Sequence, residues 1–383
     1  MLGIAIGGMS MTGTAAETVL GAMAPMDVEH LRARVQTVLD DVLDRQSAQL
    51  AEVSGECVTL ADAVRDLLAG GKRLRPAFCY WGWRGAGGPY DEAPVVAAAA
   101  LELFQAAALV HDDVMDGSDT RRGAPTVHVR FGARHAAAHW SGSSVRYGEA
   151  AALLAGDLCL TWSAQLLHEA ATAGAGISDH RWRAGLRMYD TMATQLMGGQ
   201  FLDVLDQASA GSGADAVARA RRVIRFKSAK YTVEHPLLLG GLLAGADPLL
   251  LDSYSEYALP LGEAFQLRDD VLGVFGDPAQ TGKPSGDDLR EGKRTVLVAL
   301  AHEGADPEQE RTLTRLVGHA DLDDADVAAL RRIIVDTQAL DRVETLVDDL
   351  TAQATAVLAA APVAEPARSV LSALVGAATR RQA

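Results

Sequence analysis

Aromatic side chains are scarce in this sequence, only 5% of 383 residues, and strand-like runs of Val, Ile, Thr and Tyr are scarcer still. That argues against a fold built on sheets. Cys57, Cys79 and Cys159 are too few and too scattered for a disulfide framework or a zinc site. Positive charge is in deficit: 35 Lys and Arg stand against 50 Asp and Glu, a formal net charge of −15. Such a surface repels nucleic acid, so no nucleic-acid partner is expected. No uninterrupted apolar run reaches the roughly 18 residues of a membrane span. A cytoplasmic protein, not integral to a membrane, is therefore the expectation. The loop G-x-x-x-x-G-K-[ST] is missing, as is a strand to precede it, which disfavours P-loop phosphoryl transfer.

Helix formers fill the space. Hydrophobic residues make up 49% of the chain, largely in Ala- and Leu-rich stretches. That is an all-α composition, and the length allows a large core in one or two domains. Residues 1–27 stand apart, rich in Gly, Ala and Met and without Lys or Arg. A secretory signal needs a basic start and a longer apolar core, so a disordered extension is expected there. From Asp27 onward, apolar residues recur every three or four positions. Helices are predicted over residues 28–50, 60–68, 93–116, 149–168, 179–205 and 215–243, with more from Asp306 to the end. Gly117 to Gly148 reads as a long polar connection.

The stretch from Ala93 to Asp116 organises the rest. It is almost wholly apolar at first and ends in Asp112, Asp113 and Asp116. Asp112 and Asp116 lie one turn apart on one helix face, with Gln105 about two turns further back. A helix apolar all round belongs in an interior. Acids at its C-terminal end oppose the helix dipole and repel each other, so something positive must compensate them. A solvated acidic helix end is the bland alternative. The basic residues that follow at once, Arg121 and Arg122, favour a hard-cation site with oxygen ligands.

Cations recur along the chain. Lys72, Arg73 and Arg75 follow two glycines, Gly70 and Gly71, which let a backbone approach a ligand closely. Taken alone, such a cluster is a solvated edge. Lys227, Ser228 and Lys230 sit on a later predicted helix, where lone lysines usually meet solvent. A second acidic cluster, Gln266, Asp269 and Asp270, is followed by a breaker segment, Lys283, the acids Asp287 and Asp288, and Lys293. Two acidic clusters on separate helices with three basic elements fit metal ions bridging carboxylates to a diphosphate. They point to chemistry in which diphosphate leaves.

In order and spacing these segments resemble the trans-isoprenyl diphosphate synthases of the polyprenyl synthetase family. The resemblance rests on GGKRLRP (70–76), DDVMD with RRG (112–116, 121–123), GQFLDV (199–204), FKS (226–228), FQLRDD (265–270) and GKPSGDDLREGK (282–293). It spans residues 28–383, taken as one catalytic domain, and is nearest to members making geranylgeranyl diphosphate. It implies an isoprenoid synthase-type helical bundle around a deep central cavity, usually a homodimer. Three Mg²⁺ ions and condensation of isopentenyl diphosphate with dimethylallyl, geranyl or farnesyl diphosphate are also implied.

Carried over to this chain, the resemblance makes Asp112, Asp116 and Asp269 the Mg²⁺ ligands, with Asp113 and Asp270 beside them. Arg121, Lys227, Ser228, Gln266 and Lys283 would serve the allylic diphosphate. Lys72, Arg75, Gln105 and Arg122 would serve isopentenyl diphosphate. One departure stands out: the second motif has Gly273 where the family has a third carboxylate. Chain length is expected to depend on Ala107 and Ala108, small residues just before Asp112, and on Phe104 as a floor. That would give mainly the C20 product, against a farnesyl or longer-chain product. A terpene cyclase shares the acidic motif but needs no second diphosphate site like GGKRLRP. A non-catalytic subunit of a heteromeric synthase would be expected to have lost the acidic motifs.

Overall fold

The computed structural model describes residues 27–172, 176–209, 215–277, 286–319 and 321–379. The expected N-terminal extension lies outside them, apart from Asp27. The predicted all-α fold is what forms: helices fill the described residues apart from one two-stranded hairpin. In chain order they are α1 (Leu31–Val53), α2 (Val58–Leu68), α3 (Leu74–Gly85) and α4 (Ala93–Met115). A hairpin of β1 (Thr120–Arg121) and β2 (Ala124–Pro125) leads to α5 (Val127–Ala137), α6 (Ser144–Thr172) and α7 (Asp179–Ala208). A single continuous helix follows, wound as α8 (Ala216–Val223), a π-helical segment (Ile224–Glu234) and α9 (His235–Ala244). The remainder is α10 (Pro248–Phe275), the short α11 (Asp287–Arg290), α12 (Val296–Gly304), α13 (Pro307–Leu316), α14 (Asp324–Asp336), α15 (Ala339–Ala360) and α16 (Ala367–Thr379).

Two sequence expectations change here. The stretch from Gly117 to Gly148 is no open connection, since it holds the hairpin, α5 and the start of α6. Its turn works because Arg122 and Gly123 both take positive φ, 54° and 76°, as tight hairpin turns require. Secondly, α4 and the Ser144–Ala170 stretch are each long and apolar enough to cross a membrane. The isolated Glu102 and Gln105 interrupt the α4 run without making it polar. However, 78% of the apolar window in α4 is buried within the protein, which marks it as a core helix.

The helices start and pack for local reasons. The Asp247 carboxylate caps α10 by accepting from the Leu250 N–H at 2.8 Å, with Pro248 in the first turn. Asp306 and Gln309 close a capping box on α13. Alanines from Ala97 to Ala100 have no exposed surface, which lets α6, α3 and α1 pack closely around α4. Burial of those apolar faces is worth about 25 cal/mol per Å² and holds the bundle together. The core forms two clusters, and α10 joins them. Its first half packs Tyr254, Tyr257 and Leu261 with α3, α9 and α16. Its second half packs Leu267, Val271 and Val274 with α12–α15. The second acidic motif therefore sits at the junction of the two.

Candidate active site

The last turns of α4 bring the first acids to the edge of the core. Asp113 is turned inward, its side chain 3% exposed, and accepts from Arg121 through Nε (2.8 and 2.9 Å) and Nη2 (2.6 Å). This fork fixes the hairpin against the helix end, and Arg121 reaches to 3.8 Å from Asp112. Asp113 is thus already satisfied; the Asp112 side chain stays 22% exposed, whereas that of Asp116 is only 3% exposed.

Asp112 and Asp116 each meet a lysine. Lys227 Nζ donates to Asp203 Oδ2 at 2.6 Å and to Asp112 Oδ1 at 3.0 Å. Gln200 Nε2 donates to the same Asp112 oxygen at 2.9 Å. Gly199 permits this approach: a Cβ there would lie 2.5 Å from the backbone nitrogen of Lys227, so no larger residue fits. Lys227 belongs to the π-wound segment, a winding often found at functional sites. On the other side, Lys293 Nζ lies 3.5 Å from Asp116 Oδ2, 3.4 Å from Asp288 Oδ1 and 2.5 Å from Glu291 Oε2. Ser118 Oγ donates to Glu291 Oε1 at 3.0 Å and ties this cluster to the end of α4.

The two carboxylates one turn apart titrate differently. Burial opposes ionisation of Asp112, but Lys227, Lys293 and Arg121 hold its carboxyl below the ordinary range. Burial and the charge of Asp112 push Asp116 up to about 6. Lys227 and Lys293 are also desolvated, yet the surrounding carboxylates raise both above an ordinary lysine. The cluster is a set of buried charges that neutralise one another.

The second motif splits in the same way. Asp269 is exposed, whereas Asp270 is buried and accepts from Gln266 Nε2 at 2.8 Å. Ser228 Oγ donates to Gln266 Oε1 at 2.6 Å, so α10 and the π-wound segment are linked at this point. Burial, with the charges of Asp288 and Asp269, pushes the Asp270 carboxyl well above the usual range. Lys283 lies outside the described residues.

A second cationic group lies deeper along α4. The Arg75 guanidinium stacks 4.2 Å over the Tyr231 ring and donates to Thr232 Oγ1 at 2.7 Å. Tyr231 donates to Gln105 Oε1 at 2.6 Å, so Arg75 and Gln105 meet through one tyrosine. Arg75 Nε is buried without a hydrogen-bond partner. Arg122 packs over Gly71, where a Cβ would come 3.2 Å from its Nη2. Burial, with Arg121, Arg73 and Arg75 nearby, pulls Arg122 below an ordinary arginine. Cations crowded in this way suit an anion. Arg73, the middle residue of the basic run, turns inward to Glu102 at 2.5 Å and braces the loop that carries Lys72 and Arg75.

Exposure along α4 marks its open side. Gln105, Ala108, Leu109, Asp112 and Asp116 stay partly exposed, while Leu101 and Phe104 below them are 0% and 2% exposed. Phe104 packs edge-on against Tyr189, centroids 5.6 Å apart, and tilted at 5.6 Å against Tyr231. Ala107 is wholly buried at 0%, so a bulky residue there would displace a neighbouring helix.

Whether the donor set suits a divalent cation can be judged from these contacts. Among the described residues no three His, Cys, Asp or Glu side chains converge as a closed metal cage. Lysines hold Asp112 and Asp116. Mg²⁺ is commonly held by one or two carboxylates together with waters and substrate phosphates, and carboxylates set among cations fit that pattern. Asp116 Oδ1, buried without a hydrogen-bond partner, is a ready oxygen donor. Gln200, Asp203, Asp288 and Glu291 lie in segments noted in the sequence but were assigned no site role there, and Tyr231 and Thr232 were not singled out, since their place beside Arg75 is set only by packing.

An all-α bundle with acids on two helix ends and two sets of anion-seeking cations has the architecture of the isoprenoid synthases. The polyprenyl synthetase family model matches residues 58–334. Geranylfarnesyl diphosphate synthase of Aeropyrum pernix is 34% identical over 278 residues, 72% of this chain and 79% of that one. The crystal structure of geranylgeranyl pyrophosphate synthase from Corynebacterium glutamicum, complexed with isoprenyl diphosphate and magnesium, superposes with a TM-score of 0.87. It is 38% identical and covers 93% of this chain and all of its own. Polyprenyl synthase from Caulobacter crescentus, complexed with calcium and isoprenyl diphosphate, gives a TM-score of 0.76 at 27% identity, with 95% and 98% covered. This chain belongs to the polyprenyl synthetase family and is a trans-prenyltransferase.

Proposed function

We propose that the enzyme condenses isopentenyl diphosphate head-to-tail with dimethylallyl, geranyl and farnesyl diphosphates and makes mainly the C20 product, geranylgeranyl diphosphate. The observation that carries this reading is the pair of cationic groups along one helix. Lys227 and Lys293 stand at Asp112 and Asp116, and Arg75 stands at Gln105 about two turns deeper. A single-substrate cyclase has no use for the second group.

In this reading Asp112, Asp116 and Asp269 would hold three Mg²⁺ ions, which would supply positive charge where negative charge develops on the leaving group. Lys227, Arg121, Gln266 and Lys283 bind and orient that diphosphate, with Ser228 holding Gln266. Lys72, Arg75, Gln105 and Arg122 place isopentenyl diphosphate with its double bond toward the allylic carbon. The allylic C–O bond breaks, its electron pair leaving with diphosphate. The double bond then supplies the new C–C bond, and a proton is lost to the released diphosphate. An apolar pocket keeps water from the cation. Growth runs down α4 from the acids and stops at Phe104, whose ring is held by Tyr189 and Tyr231.

The exposed apolar side chains Leu153 and Leu154 on α6 and Met197 and Phe201 on α7, each 48–65% exposed, support a homodimer. The test is an assay with isopentenyl diphosphate and each allylic primer, with product chromatography, with and without EDTA. Asp112→Ala should lower turnover by at least a thousandfold while the unfolding temperature stays within a few degrees. A folded Asp112→Ala enzyme with near wild-type turnover would refute the assignment.

A further inference from the structure

Pro236 stands inside a helix that runs without a break from Ala216 to Ala244. A proline there has no N–H to donate, and its ring crowds the carbonyl four residues back, that of Thr232. A helix meets such a clash by kinking or by changing its winding. Here the winding widens. Residues Ile224–Glu234 are π-wound, and at their end the His235 N–H donates to the Lys230 carbonyl, five residues back. The α winding resumes at His235, so Pro236 falls in the first turn of α9, where a missing N–H is tolerated.

The same turn is stapled by side chains. Lys230 Nζ donates to Glu234 Oε2 at 2.7 Å, and the two side chains are 16% and 6% exposed. His235, its side chain 4% exposed, brings Nε2 to 3.8 Å from the same oxygen. Burial pulls His235 down to about 4, so it is neutral at pH 7 and Lys230 is the cation that answers Glu234. The flanking helices press on the backbone of this segment. Gly199 of α7 meets it at Lys227, and a Cβ on Gly262 of α10 would lie 2.6 Å from Ala229 Cα.

The winding decides where the side chains of the segment point. Lys227 reaches Asp112 and Asp203, and Ser228 reaches Gln266. One turn on, Tyr231 reaches Gln105 and Thr232 receives from Arg75. At about 100° per residue, an α-helix would set Thr232 about 140° round the axis from Lys227. A turn closed by i→i+5 bonds holds about 4.4 residues and leaves about 50° between the two. With Lys227 in place, rewinding to α would swing Tyr231 and Thr232 roughly a quarter turn away from Gln105 and Arg75.

We propose that Pro236 and the Lys230–Glu234 pair are positioning residues that impose and hold the π winding, and thereby keep the allylic and isopentenyl diphosphate subsites in register. This rests on the two-substrate reading above, since it names what aligns the two subsites.

The experiment removes both causes at once, in a triple variant with Lys230→Met, Glu234→Met and Pro236→Ala. An apolar pair in place of a buried ion pair is often neutral or stabilising, and alanine is favourable inside a helix. The unfolding temperature should therefore be unchanged or higher. Steady-state kinetics with each substrate varied should show the apparent KM for isopentenyl diphosphate and for the allylic primer both raised at least tenfold. A merely structural role would lower the unfolding temperature and leave both constants where they are. Wild-type constants for both substrates in the folded variant overturn the proposal, as does a rise in only one of them. If the triple variant does not fold, Pro236→Ala alone is read by the same criteria. Condensation by the wild-type enzyme, assayed in parallel, tests the functional reading separately.

Discussion

Arg75 shows how a single side chain can be committed before its ligand arrives. Its guanidinium is stacked on Tyr231 and bonded to Thr232, yet Nε is buried and unpartnered. The stack fixes the fork, and an arginine fixed in this way loses little entropy on meeting a phosphate. Truncation should therefore act on one substrate. Arg75→Ala is expected to raise the apparent KM for isopentenyl diphosphate ten- to a hundredfold and leave that for the allylic primer within about threefold, measured by steady-state kinetics with each substrate varied. An increase confined to the allylic primer would exchange the two sites. Asp113 illustrates the reverse case. It belongs to the same acidic run as Asp112 and Asp116, but the Arg121 fork occupies it, so it acts through the hairpin it holds.

At the scale of elements, α4 combines both ends of the proposed reaction. Its C-terminal turn carries the acids, and its middle carries the surface along which the product grows. Eight residues separate Phe104 from Asp112, about 12 Å along the axis. The exposure pattern ends there, because Leu101 and Phe104 are enclosed while Ala108 is not. Ala108→Phe should shorten the main product toward C15, since the ring would enter the open side one turn below Asp112. Phe104→Ala should lengthen it beyond C20, with a stability cost of about 3–5 kcal/mol from the lost aromatic packing. Both are read by chromatography of dephosphorylated products below the unfolding temperature. An unchanged distribution in Phe104→Ala would place the floor on another helix. The π-wound segment is the other decisive element, since it presents Lys227, Ser228 and Tyr231 to three different partners within five residues.

For the whole molecule, the two core clusters meet along α10, and Lys293 lies between Asp116 at the end of α4 and Asp288 of α11. The outer faces of α6 and α7 carry large apolar side chains that the single chain leaves uncovered, with Leu154 57% and Met197 53% exposed. If a second copy covers them, a charge there should separate the copies without touching the acids. Leu154→Glu with Met197→Glu is expected to weaken self-association at least a hundredfold, seen as a shift from dimer to monomer by light scattering after size exclusion. A wild-type protein that is monomeric at micromolar concentration would remove the basis of that proposal.

The sequence by itself determined the all-α class, the buried character of α4 and the order of the acidic and basic segments. Those follow from local periodicity and composition, which act over a few residues at a time. It also determined which residues could answer a diphosphate, because a DDVMD run, a GGKR run and FQLRDD leave few other uses for so much charge near apolar helices. Only the tertiary structure decided which of them are already engaged. That Asp113 is spent on Arg121, that Asp270 is enclosed while Asp269 is exposed, and that Arg73 braces rather than binds depend on packing against other segments and on partners up to 29 residues away. The membrane-span length of α4 likewise meant nothing until its neighbours were seen to bury it. Gly273 is a further case. In sequence it is a missing acid, and in space it lies against the Asp288 carboxylate, because a contact between α10 and α11 is set by packing and leaves no periodic trace in either segment.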